Sequence, residues 1–228
     1  MTRQKREYSD IPAIEEAVAA GAHRELVGGM WDEIGRLQLD VMVAGGLRPH
    51  HRLLDVGCGS LRGGVHFVPY LDPGNYFGID LNRSLIDAGY EREILPLGLA
   101  ARLPRKNLIA TADFDVSAFN VPFDRAIALS VFTHLSLNRI RTCLERLHPA
   151  MAEGGAFYAT FFEAGRGTTS EPVVHRPGGI TTFGDADPYH YRPADLRFAA
   201  AGLPWEPVHI GDFGHPRDQR LMLFCKTG

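Results

Sequence analysis

The strongest chemical signal in the chain is LLDVGCGSLRGG, positions 53–64. An apolar run carrying Asp55 reads as a buried strand, and Gly57 and Gly59 then allow a tight turn into a helix. Glycine adopts backbone angles barred to other residues and lets a ligand approach the main chain. Amides at the following helix start can face a phosphate or a carboxylate. The dinucleotide fingerprint Gly-x-Gly-x-x-Gly fails here, because the sixth residue counted from Gly57 is Arg62. Asp80 is the second signal, near the end of NYFGIDL, positions 75–81. A carboxylate at a strand tip can accept from both hydroxyls of a ribose; it can also cap a helix. In this order and spacing the two signals point to a bound nucleoside.

Proton chemistry has its own candidates. His134 follows the fourth strand-like run, and imidazole ordinarily titrates near neutrality. It fits a base that removes a proton, or a loop histidine beside a helix start. Glu163 ends the fifth run and is the second candidate, with Tyr158 and His66 behind it. Residues 164–192 are rich in glycine, proline and threonine, including Thr168, Thr169 and Ser170. A loop this long is usually functional or disordered, and a substrate lid is expected. His175, Arg176, His190, Tyr191 and Arg192 lie in or beside it. DPYHYRPADL, positions 187–196, sets aromatic and imidazole groups just before a helix, a surface suited to sugars and aromatic rings. His190, Tyr191 and Arg176 are the substrate-binding candidates; the same residues also suit pinning a long loop. Ten histidines form no metal-ligand spacing, so no metal is expected.

The elements that position these residues alternate. Helical patterns cover 10–20 and 30–44, the second with Ile34, Leu37, Val41 and Ala44 on one face. Strands are expected at 52–56, 75–81, 107–112, 123–130 and 156–163. Helices are expected at 61–71, 84–95 and 137–148. A helix from Pro193 to Ala201 and strands at 205–210 and 219–225, joined by GDFGHPRD as a hairpin, close the chain. Such alternation implies an α/β fold with a parallel sheet, and ligands then bind beyond the carboxyl ends of the strands.

Composition narrows the function classes. A chain of 228 residues suits one domain with a small appendage. Hydrophobic residues at 45% and charged residues at 22% are ordinary for a globular protein. Twenty-four basic and 27 acidic residues give a net charge of −3. No global basic excess favours nucleic acid, which counts against unaided RNA binding. Cys58, Cys143 and Cys225 are far apart with no Cys-x-x-Cys, so neither disulfides nor a zinc site is expected. No run approaches the ~20 apolar residues of a membrane span, and a cytoplasmic location is expected.

Asp-Val-Gly-Cys-Gly at 55–59 and Gly-Ile-Asp at 78–80 resemble the class I S-adenosylmethionine-dependent methyltransferases. The match extends to Asp113-Phe114, to Phe123-Asp124 through Ser130, and to Pro149–Gly155 before the fifth strand. Leu61 departs from the pattern, standing where many members have a third glycine. The resemblance implies a Rossmann-like, doubly wound, seven-stranded sheet, mostly parallel with an antiparallel C-terminal hairpin. It implies a domain over 52–228, with residues 1–51 as a helical cap. Its cofactor would be S-adenosyl-L-methionine. Gly57, Cys58 and Gly59 would bring the backbone against the methionine part and ribose, and Asp55 would hold the ammonium group. Asp80 would bind the ribose hydroxyls and Leu81 the adenine face; Asp113 and Phe114 would meet the adenine, and Ser130 would line the methionine side. Arg62 fits either a partner of the cofactor carboxylate or a solvated helix residue. Trp31 fits either a cation–π contact with the sulfonium or a core position. The acceptor would be an oxygen or nitrogen of a small molecule or glycan, methylated by in-line displacement. Two other readings stay open, a catalytically silent cofactor-binding subunit and an RNA methyltransferase acting with partners. The oligomeric state stays open, a homodimer included.

Overall fold

A computed structural model describes residues 10–165 and 170–228. Helices α1 (Ile11–Ala19), α2 (His23–Leu26) and α3 (Trp31–Ala44) precede strand β1 (Leu53–Val56). Then come α4 (Gly64–Tyr70), β2 (Tyr76–Asp80), α5 (Arg83–Gly89), β3 (Leu108–Ala110), β4 (Phe123–Ala128), α6 (Leu137–Leu147) and β5 (Met151–Glu163). The chain ends with β6 (Val173–His175), β7 (Ile180–Thr182), β8 (His190–Tyr191), α7 (Pro193–Ala200), β9 (Trp205–Asp212) and β10 (Gln219–Lys226). These form two compact units: residues up to His50 with Gly57–Ala112, and His51–Val56 with Asp113–Gly228.

In the first unit, β2 and β3 run parallel, with Asp80 opposite Ala110. α1 starts where the Asp10 side chain accepts from the Ala13 amide at 3.2 Å, an N-cap followed by Pro12 in the first turn. Its Ile14 and Val18 pack on Leu85 and Ala88 of α5. The helix expected from residue 61 begins three residues later, at Gly64. Leu61 has φ of 65°, and a left-handed residue interrupts a right-handed helix. The helix expected over 84–95 passes from α5 into a π turn at Tyr90–Ile94.

In the second unit, β1 pairs parallel with β4, and β4 parallel with β5. β10 is antiparallel to both β5 and β9, so the C-terminal hairpin is as expected. The fold is α/β, mostly parallel with antiparallel C-terminal strands. β8 adds a short parallel strand beside β5. β5 starts at Met151, earlier than residue 156, where Met151 already pairs with Phe123 before the register shifts between Phe123 and Arg125. α6 buries Ile140, Cys143, Leu144 and Leu147, the stripe its spacing predicts. Phe132, Phe157, Phe224 and Trp205 form the aromatic core beside it, with Phe157 and Phe224 stacked at 5.9 Å.

The stretch 164–192 is not irregular throughout. β6 and β7 form an antiparallel hairpin around a Pro-Gly-Gly turn. Their β-branched residues Val173-Val174 and Ile180-Thr181-Thr182 favour pleated backbone, but strands of three residues are too short to show periodicity. Thr168 and Thr169 lie outside the described residues. Among the described residues, no helix is long and apolar enough to cross a membrane, and no cluster of three or more His, Cys, Asp or Glu could hold a metal ion. The three cysteines are free thiols.

Candidate functional site

In the first unit the site is built on the glycine turn. The amides of Gly57 and Cys58 donate to the Ile79 carbonyl at 2.7 and 3.0 Å, tying the turn to β2. Gly57 and Gly59 have φ of 74° and 53°, angles that L side chains rarely adopt. A Cβ on Gly59 would lie 2.6 Å from Val27 Cγ1. Cys58 is buried, its Sγ 2.9 Å from where a Cβ on Gly78 would be. Asp80 holds the turn from the other side: Oδ2 accepts from the Gly59 amide at 2.9 Å and Oδ1 from the Asn82 amide at 2.8 Å. Each oxygen has further acceptor capacity beyond one such bond. Burial of the carboxylate pushes its pKa up, opposed by the amide hydrogen bonds from Asn82, Gly59 and Leu81. Leu81 is exposed immediately beside it.

The segment from His23 to Trp31 is fastened to this turn. Ser60 Oγ donates to the His23 carbonyl at 3.0 Å. Arg62 is buried, and its Nη1 donates to the Val27 and Gly29 carbonyls at 2.8 and 2.9 Å. It is therefore not a solvated helix residue; its guanidinium latches main chain. Glu93 accepts from His23 Nε2 at 2.7 Å and from Arg24 Nε and Nη2 at 2.8 and 2.7 Å. Burial pushes the Glu93 carboxyl up, but the hydrogen bonds from Arg24 and His23 outweigh it and leave the pKa below its ordinary value. Trp31 is buried, with His23 edge-on to its ring and the Arg24 guanidinium 4.8 Å above it.

In the second unit, Asp55 is buried on β1 opposite Ile127. Asp113 is exposed; Phe114 is buried at φ 62°, with the Arg139 guanidinium 5.0 Å from its ring centre. Ser130, beyond β4, has φ of 60°. Its amide donates to Thr160 Oγ1 at 2.7 Å, Thr160 donates to Gln219 Oε1 at 2.6 Å, and Gln219 Nε2 returns to Ser130 Oγ at 2.9 Å. This closed three-residue network offsets the cost of the left-handed backbone.

His134 Nδ1 lies 2.7 Å from Asp187 Oδ1. The same two segments are stitched by two further hydrogen bonds, the Tyr189 amide to the Thr133 carbonyl at 2.7 Å and the Tyr191 phenol Oη to the Leu135 carbonyl at 2.6 Å. Beside them a pocket of 330 Å³ is lined by Ser136, Leu137, Gly184, Asp185, Tyr189, His190, Tyr191 and Asp195. The Tyr189 and Tyr191 rings stack 6.0 Å apart. His190 and Tyr191 are thus both at this pocket and both buried. His190 Nδ1 is 2.8 Å from Thr182 Oγ1, which is 2.9 Å from His175 Nε2. Burial raises the Tyr191 phenol pKa well above its ordinary value. Arg176 is exposed beyond β6 and does not line the pocket. Glu163 faces basic side chains instead, with His209 Nε2 at 3.2 Å and Arg220 Nε at 3.9 Å. Sequence reasoning missed Asp187, Thr160 and Gln219. Asp187 stood inside a segment already singled out, but nothing in a separation of 53 residues ties it to His134.

Residues 54–157 match the family model described as a methyltransferase domain. Solved structures share the fold. The magnesium protoporphyrin IX methyltransferase ChlM of Synechocystis PCC 6803, solved with bound SAM, has a TM-score of 0.64 at 13% identity, covering 99% of this chain and 100% of its own. The CcbJ methyltransferase of Streptomyces caelestis has a TM-score of 0.62 at 14% identity, covering 85% of this chain and 90% of its own. The sugar N-methyltransferase KedS8 of a Streptoalloteichus species has a TM-score of 0.60 at 17% identity, covering 84% and 87%. At these identities the likeness is one of fold.

Proposed function

We propose that the chain is a class I S-adenosylmethionine-dependent methyltransferase that methylates an oxygen or nitrogen of a small-molecule or glycan acceptor. The residues present fit the cofactor. Asp80 keeps acceptor capacity on both oxygens beside a glycine turn that a Cβ on Gly59 would obstruct. That carboxylate is the single observation that carries the reading. Ribose hydroxyls donate to it, and Leu81 offers an apolar face to the adenine. Gly57, Cys58 and Gly59 let the ligand reach the main chain, and Trp31 serves the methionine end. The segment up to residue 51 acts as a cap, because its Val27–Gly29 stretch is latched by Arg62 above the turn.

The bound cofactor supplies an electrophilic methyl group on a neutral leaving thioether, so the protein chiefly aligns the reactants. An oxygen acceptor also needs its proton removed. His134 takes that role, with its ring in hydrogen-bond contact with Asp187. Glu163 is the lesser base, since its carboxylate is already engaged by His209 and Arg220. His190 and Tyr191 wall the acceptor pocket, and a volume of 330 Å³ suits a sugar-sized ring. Arg176 lies outside that wall and serves at most the pocket's approach.

Calorimetry with S-adenosylmethionine, S-adenosylhomocysteine and NAD tests the premise. Binding of the first two and not NAD is expected; NAD binding alone overturns it. Asp80→Ala should abolish measurable S-adenosylhomocysteine binding, and an unchanged affinity would remove Asp80 from the site.

A further inference from the structure

The His134–Asp187 contact joins two segments already fixed against each other. His134 ends a short 3-10 turn, Phe132–His134, and Thr133 Oγ1 anchors that turn to the Ser130 carbonyl at 2.8 Å. Asp187 lies between Asp185 and Tyr189, both at the pocket wall. The hydrogen bonds to the Thr133 and Leu135 carbonyls, from the Tyr189 amide and the Tyr191 phenol, hold the two segments together. Both side chains remain about a quarter to a third exposed, at 30% for His134 and 26% for Asp187, so the pair is reachable from solvent.

We propose that Asp187 is a positioning residue that fixes the tautomer of His134. The proposal rests on the reading of His134 as the base. An ionised carboxylate can only accept a hydrogen bond. Nδ1 must then carry the ring proton, and the neutral ring keeps its lone pair on Nε2. The acceptor's proton passes to Nε2 as its oxygen or nitrogen bonds the methyl carbon, and the carbon–sulfur electron pair stays with sulfur. The imidazolium so formed is stabilised by the Asp187 carboxylate across 2.7 Å. The loop 183–191 would therefore contribute both the pocket wall and the orientation of the base.

The test needs no acceptor. Nitrogen-15 spectra of the full chain are recorded at a pH where the ring is neutral, with His134→Gln assigning the signals. The wild type should show His134 protonated on Nδ1. Asp187→Ala and Asp187→Asn should each move most of that population to Nε2. A wild-type ring protonated mainly on Nε2 overturns the proposal, and so does a population unchanged in both variants. Where a variant fails to fold, the wild-type spectrum decides. Turnover with an acceptor from a screen of sugars and phenols separates the two readings. His134→Gln should lower kcat by about 10²-fold or more with cofactor binding intact, and Asp187→Ala by about 10-fold or more. Full turnover in His134→Gln overturns the base reading whatever the tautomer. Full turnover in Asp187→Ala beside an inactive His134→Gln overturns only the positioning by Asp187.

Discussion

Arg62→Ala separates two roles for one guanidinium. The side chain is 6% exposed and donates twice from Nη1, to Val27 and Gly29. A hydrogen bond to a charged group contributes about 1.5–3 kcal/mol. The two carbonyls lie on half-buried residues, so water replaces part of the loss and the lower value applies to each. The expected destabilisation is about 3 kcal/mol, and for a chain of this size that lowers Tm by about 6–12 °C. The latch holds Val27 against Gly59, so its loss should also loosen the proposed cap over the glycine turn. Calorimetry then compares S-adenosylhomocysteine with 5′-methylthioadenosine, which lacks the amino-acid end. A latch predicts that both ligands weaken by a similar factor. A partner of the cofactor carboxylate predicts that S-adenosylhomocysteine alone weakens, by about tenfold or more. That selective loss, with Tm unchanged, would refute the latch.

Three further perturbations follow from the same geometry. In the proposed role Asp80 would accept from ribose hydroxyls as a carboxylate, and burial raises its pKa. S-adenosylhomocysteine affinity should therefore fall as pH drops through a value above the ordinary 3.8, and Asp80→Asn should flatten that dependence; a flat wild-type profile refutes the assignment. Glu93 has a lowered pKa, so its contribution to stability is full above the ordinary 4.5 and is lost as pH falls through the folded value. Relative to wild type, Glu93→Gln should lose about 2–3 kcal/mol at neutral pH, less than a fully buried pair because Arg24 is half exposed, with the difference shrinking in acid urea titrations. Gly89→Ala would normally stabilise a helix by about 1 kcal/mol. Here the new Cβ meets the backbone of Ser60, so a lower Tm and weaker cofactor binding are expected; a raised Tm would show that α5 yields freely.

How much was legible follows from the range of each interaction. The glycine turn and Asp80 could be read because their chemistry is local: positive φ, a strand tip and fixed spacing leave marks in consecutive residues. The α6 stripe Ile140, Cys143, Leu144 and Leu147 was legible for the same reason, since helical periodicity is a short-range pattern. The hairpin of β6 and β7 escaped because three-residue strands carry no period. Leu61 spells an ordinary helix residue, yet its left-handed angle delays α4 to Gly64.

The sequence by itself determined the α/β class and the glycine turn, both written in contiguous segments. Only tertiary structure decided which distant side chains meet. Arg62 found carbonyls 33 and 35 residues away, Ser130 closed a network with Gln219 across 89 residues, and His134 met Asp187 across 53. A hydrogen bond needs two atoms within about 3 Å in space, and sequence separation sets no such distance.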